Sequence, residues 1–93
     1  MIMDRKYADF ATEKAAELLN IDSPTGFTAK AAEWVKKEFE HLGFSAVLTQ
    51  KGGVLITLGG EHEENALFLE AHTDTLGGMV AEVKSNGRLR ITP

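Results

Sequence analysis

The sequence predicts an α/β protein: two N-terminal helices packed on a small mixed sheet, followed by a C-terminal β-hairpin. Three observations lead there. Apolar residues step by three and four up to Leu42, and the step shortens to two from Phe44 onward. Glycine pairs or Asn-Gly then separate the two-step segments. Ninety-three residues allow one small domain, with a core near the lower limit of what folds unaided.

Residues 4–20 read as the first helix, with Tyr7, Phe10, Ala11, Lys14, Ala15, Leu18 and Leu19 at helical steps and Asn20 ending it. Residues 21–26, Ile-Asp-Ser-Pro-Thr-Gly, form a turn cluster in which Pro24 stops any helical continuation. A plain connector between two helices accounts for it. The second helix spans residues 28–42, with Thr28 as N-cap, an apolar stripe of Ala31, Ala32, Val35, Phe39 and Leu42, and Gly43 as C-cap. Trp34 lies beside that stripe as a packing residue. His41 falls in the last turn, where a charged imidazole suits a helix C-terminus.

Residues 44–50 and 54–58 read as strands joined by the tight turn Lys51-Gly52-Gly53. Residues 59–65 are a polar loop, and His62 among its glutamates has no rigid element to build a specific metal site. The next run, residues 66–71, is apolar and free of Pro and Gly, which predicts a buried central strand. Phe68 takes one face, Leu67 and Leu69 the other, and Glu70 shares the side of His72 and Asp74. Residues 79–84 and 88–92 flank Ser85-Asn86-Gly87, a hairpin signal because Asn and Gly both tolerate positive φ. Pro93 follows this hairpin directly, with no closing helix, as in an interrupted protein.

The net charge of −4 provides no basic face, so neither nucleic acid nor an anionic membrane is expected as a partner. No cysteine is present, the N-terminus lacks the apolar core of a signal peptide, and no run is long enough to span a bilayer. These features predict a cytoplasmic protein.

The chemistry concentrates where the apolar run ends. His72 and Asp74 are two apart, so in an extended chain their side chains leave the same face, with Cα atoms roughly 6–7 Å apart. A histidine and a carboxylate at a strand end can present a metal ligand and its supporting group. The same pair also serves as a polar strand end whose histidine caps a backbone carbonyl. The surrounding residues carry more. The stretch Ala71-His72-Thr73-Asp74-Thr75-Leu76-Gly77-Gly78-Met79-Val80 resembles the first metal-binding motif of the tetrahedral, or glutamyl, aminopeptidases, which are dinuclear zinc exopeptidases. Ile21-Asp22-Ser23-Pro24-Thr25-Gly26-Phe27 and the glycine-bounded Gly53-Val54-Leu55-Ile56-Thr57-Leu58-Gly59 fit the same family in the same order.

That resemblance implies a three-layer zinc-exopeptidase fold, with residues 1–78 the N-terminal part of a catalytic α/β domain. Residues 79–93 would begin an inserted β domain used for dimerisation, and the 21–26 turn would lie near the substrate side. It further implies a cytosolic homo-oligomer that removes N-terminal residues from a peptide substrate, using two divalent metal ions, zinc or cobalt. By motif position His72 is the metal ligand. Asp74 is the catalytic-site carboxylate that accepts the other ring N–H without touching the metal. The bridging aspartate, the glutamate pair, a further acidic ligand and a final histidine that the resemblance calls for all lie downstream of Pro93. Catalytic zinc usually takes three protein ligands, so this chain alone is expected to hold no metal tightly and to be inactive.

Thr75 departs from the acidic residue usual in the family after the aspartate, which leaves the preferred N-terminal residue open. Two other readings stand beside this one: a fragment of a related metal-dependent carboxypeptidase or amide deacylase, and a small non-catalytic α/β interaction module. In the second, His72 and Asp74 only stabilise a turn. Gly77-Gly78-Met79-Val80 running into a glycine-turned hairpin favours the aminopeptidases over their relatives.

Overall fold

Helix α1 (Arg5–Leu19) begins where the Asp4 carboxylate accepts the Lys6 N–H at 3.0 Å, and it ends at Asn20, as the apolar spacing predicts. The computed structural model describes residues 4–92. Expectations resting on Met1–Met3 and on Pro93 lie outside them. Helix α2 (Ala29–His41) closes at Leu42, one residue before the expected glycine, and Thr28 stands at its N-cap without a side-chain capping bond. Its buried residues are Ala31 and Ala32, small enough to bring the helix backbone close to what lies beneath.

Strands β1 (Ser45–Leu48) and β2 (Val54–Thr57) lie beneath α2, paired antiparallel with Ala46 opposite Ile56 and Leu48 opposite Val54. Ala46 is buried, and Val54 and Ile56 are half-buried on the same face, so the period-two pattern aims that face at the helix. Helix α1 packs on α2 rather than on a sheet. Lys14 Nζ reaches Glu38 Oε2 at 2.9 Å, an ion pair that joins the two helices.

Strands β3 (Met79–Val83) and β4 (Leu89–Thr92) form a second antiparallel hairpin with a bulge between Val80 and Glu82. The two hairpins close in the same way. The Gly52 N–H donates to Thr49 O and the Thr49 N–H to Gly53 O, just as Gly87 donates to Lys84 O and Lys84 to Arg88 O. In each, one glycine alone takes positive φ, 84° at both Gly52 and Gly87. Asn86 therefore does not share the left-handed conformation expected of it. The turn is a type I turn followed by a glycine bulge rather than a two-residue mirror-image turn.

The α/β character stands, but the arrangement of strands differs from the expected mixed sheet. Two separate two-stranded antiparallel sheets are present, and the β3–β4 hairpin packs on no other described element. Residues 66–71 are not a strand: Leu67, Phe68 and Leu69 are 83%, 73% and 76% exposed. The physical reason lies in backbone pairing. A strand needs a neighbour's N–H and C=O groups, and each of the four strands described here pairs only within its own hairpin.

The result is an open structure. Its radius of gyration is 17.6 Å, where a compact chain of this length would have about 12 Å. Its accessible surface is 8240 Å², against roughly 5,300 Å² for a folded monomer of this mass. No helix among the described residues is long and apolar enough to cross a membrane.

Two outcomes follow from local contacts. A Cβ on Gly78 would lie 2.5 Å from Ile91 Cγ2 and 2.8 Å from the Thr92 carbonyl oxygen, so Gly78 supplies space that no side chain can share. Gly78→Ala is expected to destabilise the β3–β4 hairpin by about 1–3 kcal/mol, read as faster hydrogen exchange of its amides. Gly60→Ala, at a position with open space around it, should change nothing. The second outcome concerns Lys14. The hydrogen-bonded Glu38 carboxylate holds the Lys14 ammonium above its ordinary value of 10.5, with burial opposing and Glu17 adding to the effect. A raised folded-state value means that this contribution is intact below 10.5 and is lost as pH climbs through the raised value. The α1–α2 contact should therefore loosen only in strong alkali, seen as falling helicity of residues 5–19. Glu38→Gln should remove that alkaline step.

Candidate metal-ligand turn

Three short segments build the site. In the first, the Phe27 N–H donates to Pro24 O at 2.8 Å, and Gly26 takes φ of 90°, closing residues 24–27 into a turn. Positive φ at the third position is the requirement of a type II turn. In the second, the Thr75 N–H donates to Ser23 O at 2.7 Å, and Pro24 and Thr75 form an isolated parallel bridge. Ser23 is 2% exposed, whereas Thr75 across the seam is exposed. In the third, Gly77 passes Pro24 so closely that an added Cβ would lie 3.0 Å from Pro24 Cβ. Gly77 and Gly78 both keep negative-side backbone conformations. The double glycine is there for close approach.

This seam holds the His–Asp pair. His72 Nδ1 lies 3.0 Å from Asp74 Oδ1 and 3.1 Å from the Asp74 backbone oxygen. A carboxylate and a carbonyl can only accept, so Nδ1 is the donor in both contacts, and in the neutral ring that assignment leaves the lone pair on Nε2. The other carboxylate oxygen, Oδ2, accepts a 2.7 Å hydrogen bond from the Thr25 hydroxyl. That bond, followed by the favourable charge of His72, holds the Asp74 carboxyl below its ordinary value, with burial working against it.

The His72 side chain is 87% exposed and Asp74 is half-buried. Together they border an open groove of about 490 Å³, with Thr25, Gly26, Lys51 and Gly53 among its other walls. The spacing-based expectation that His72 and Asp74 share a side is met, although the chain leading into them is not a strand. Glu70 is exposed, and the described residues contain no group of three or more His, Cys, Asp or Glu able to hold a metal ion. Thr25 is the residue that sequence reasoning missed. It lies 49 positions from Asp74 in a turn that a simple connector explained.

Comparison with known proteins shows that the chain is similar to part of several aminopeptidases. A Bacillus subtilis (strain 168) protein named as an aminopeptidase, YhfE, is 39% identical over 79 residues, covering 85% of this chain and 23% of that protein. The glutamyl aminopeptidase of Lactococcus lactis subsp. cremoris (strain MG1363) is 29% identical over 83 residues, covering 87% of this chain and 23% of its own length. Residues 52–93 match the M42 glutamyl aminopeptidase family. The resemblance read from the sequence therefore holds as a similarity to the M42 aminopeptidases, and the chain spans less than a quarter of the length of these relatives. No solved structure matches the chain significantly.

Proposed function

We propose that this chain supplies the first metal-ligand turn of a metal-dependent aminopeptidase that removes N-terminal residues from peptides. The observation that carries the reading is the 3.0 Å contact of His72 Nδ1 with Asp74 Oδ1 beside the groove that His72 borders. With Nδ1 engaged by Asp74, Nε2 is the ring nitrogen left to bind a cation. The donor set fits one corner of a metal site and no more. Bound in a complete site, a divalent ion of the zinc or cobalt type would polarise the scissile carbonyl and acidify the attacking water. This chain's own residues have narrower tasks. His72 presents a neutral nitrogen, and Asp74 holds the ring's orientation and raises its basicity.

On this reading the 93 residues alone do not catalyse, because the remaining ligands and a general base come from elsewhere. The isolation of the β3–β4 hairpin supports taking residues 79–93 as the start of a separate β unit. The exposed apolar surface supports assembly with further copies. The lack of cysteine fits a reducing, cytoplasmic setting.

The test uses the longest reading frame that contains these residues, assayed on aminoacyl substrates with zinc and with cobalt. Asp74→Asn should weaken metal affinity about 10–100-fold while leaving the protein folded. His72→Ala should abolish metal-dependent turnover. Stoichiometric metal and full activity in His72→Ala would contradict the assignment. A protein that takes up no metal at all would favour the interaction module.

A further inference from the structure

We propose that Thr25 is a positioning residue for His72: its hydroxyl fixes the Asp74 carboxylate in the orientation that accepts the imidazole Nδ1–H. The turn at residues 24–27 thereby sets which nitrogen of His72 faces the groove. The proposal rests on the reading of His72 as a ligand through Nε2.

The geometry divides one carboxylate between two donors. Oδ1 takes the ring N–H at 3.0 Å and Oδ2 takes the Thr25 hydroxyl at 2.7 Å, so rotation of the carboxylate breaks one contact or the other. On its own, a histidine–aspartate contact this exposed has little hold on either group, because water competes for both. Thr25 is exposed too, but its backbone is anchored. Its turn is closed by the Phe27 N–H on Pro24 O, and the preceding residue is pinned by the Thr75 N–H on Ser23 O. A hydroxyl that donates to a carboxylate makes one of the shorter and stronger hydrogen bonds available. Beside the 3.1 Å contact of Nδ1 with the Asp74 backbone oxygen, the carboxylate's support for the ring thus enters from a segment 49 residues away, through the Thr25 hydroxyl.

The test compares Thr25→Val, which keeps the shape and loses the donor, with Thr25→Ser, which keeps the donor. The tautomer of His72 is read from two-bond proton–nitrogen NMR spectra of the imidazole at a pH where the ring is neutral. Hydrogen exchange of the Thr75 amide reports whether the seam is intact. Thr25→Val should lower the ratio of Nδ1–H to Nε2–H tautomer about three- to tenfold, with the Thr75 amide still protected. Thr25→Ser should keep the parent ratio.

An unchanged ratio in Thr25→Val would overturn the proposal, as would a shift in Thr25→Ser as large as in Thr25→Val. Loss of Thr75 protection in Thr25→Val, and equally in Thr25→Ala, would also overturn it, because the hydroxyl would then act on the fold and not on the ring. A parent chain with its proton on Nε2 would instead sink the assignment of His72 as a ligand. The two failures are therefore told apart by which sample departs.

Discussion

One backbone contact joins the two halves of this chain: the Thr75 N–H donating to Ser23 O, reinforced by the Thr25 hydroxyl on Asp74. The other loop and turn hydrogen bonds of the described backbone join residues near one another in sequence, as do the helix and hairpin ladders. Without this seam, helices and hairpins would each persist as local structures, and His72 would sit on an untethered segment. With it, the 24–27 turn, the His–Asp pair and the passage of Gly77 past Pro24 become one unit. The glycines after the motif have a corresponding task. A side chain at either would push against Pro24 or against β4 and open the seam from below.

The packing around that unit is thin. The buried apolar residues are Ala31, Ala32 and Ala46, side chains that remove little surface from water. Larger apolar groups, Leu67, Phe68 and Leu69 above all, face solvent. Exposed apolar area on this scale is characteristic of a surface that meets other protein. On the proposed reading, His72 and Asp74 form one corner of a metal site, since such a site is assembled from several ligand turns.

Both helices and both hairpins were legible in the sequence because they depend on local periodicity, on stops such as Asn20 and Pro24, and on turn glycines such as Gly52 and Gly87. The sharing of a side by His72 and Asp74 was legible for the same reason, being an i to i+2 relation. Residues 66–71 were legible as apolar and were misread as a strand, since pairing partners are a non-local property that an apolar run does not encode. Thr25 was invisible for a related reason. A threonine between proline and glycine in a turn is unremarked until the fold brings it 2.7 Å from a carboxylate 49 residues later. The role of Gly77 and Gly78 is steric, which only the neighbours Pro24 and Ile91 reveal.

The central claim is that the chain presents one poised imidazole nitrogen for a divalent metal. The most direct measurement is a titration of the chain with cobalt(II), monitored by paramagnetic broadening of its three histidine side chains, His41, His62 and His72. The account predicts that His72 broadens first, that its Nε2-side ring proton is affected most, and that Asp74→Asn abolishes this preference. Earlier or equal broadening of His62 or His41 would contradict it, because the seam between Ser23 and Thr75 would then confer no advantage on His72 as a ligand.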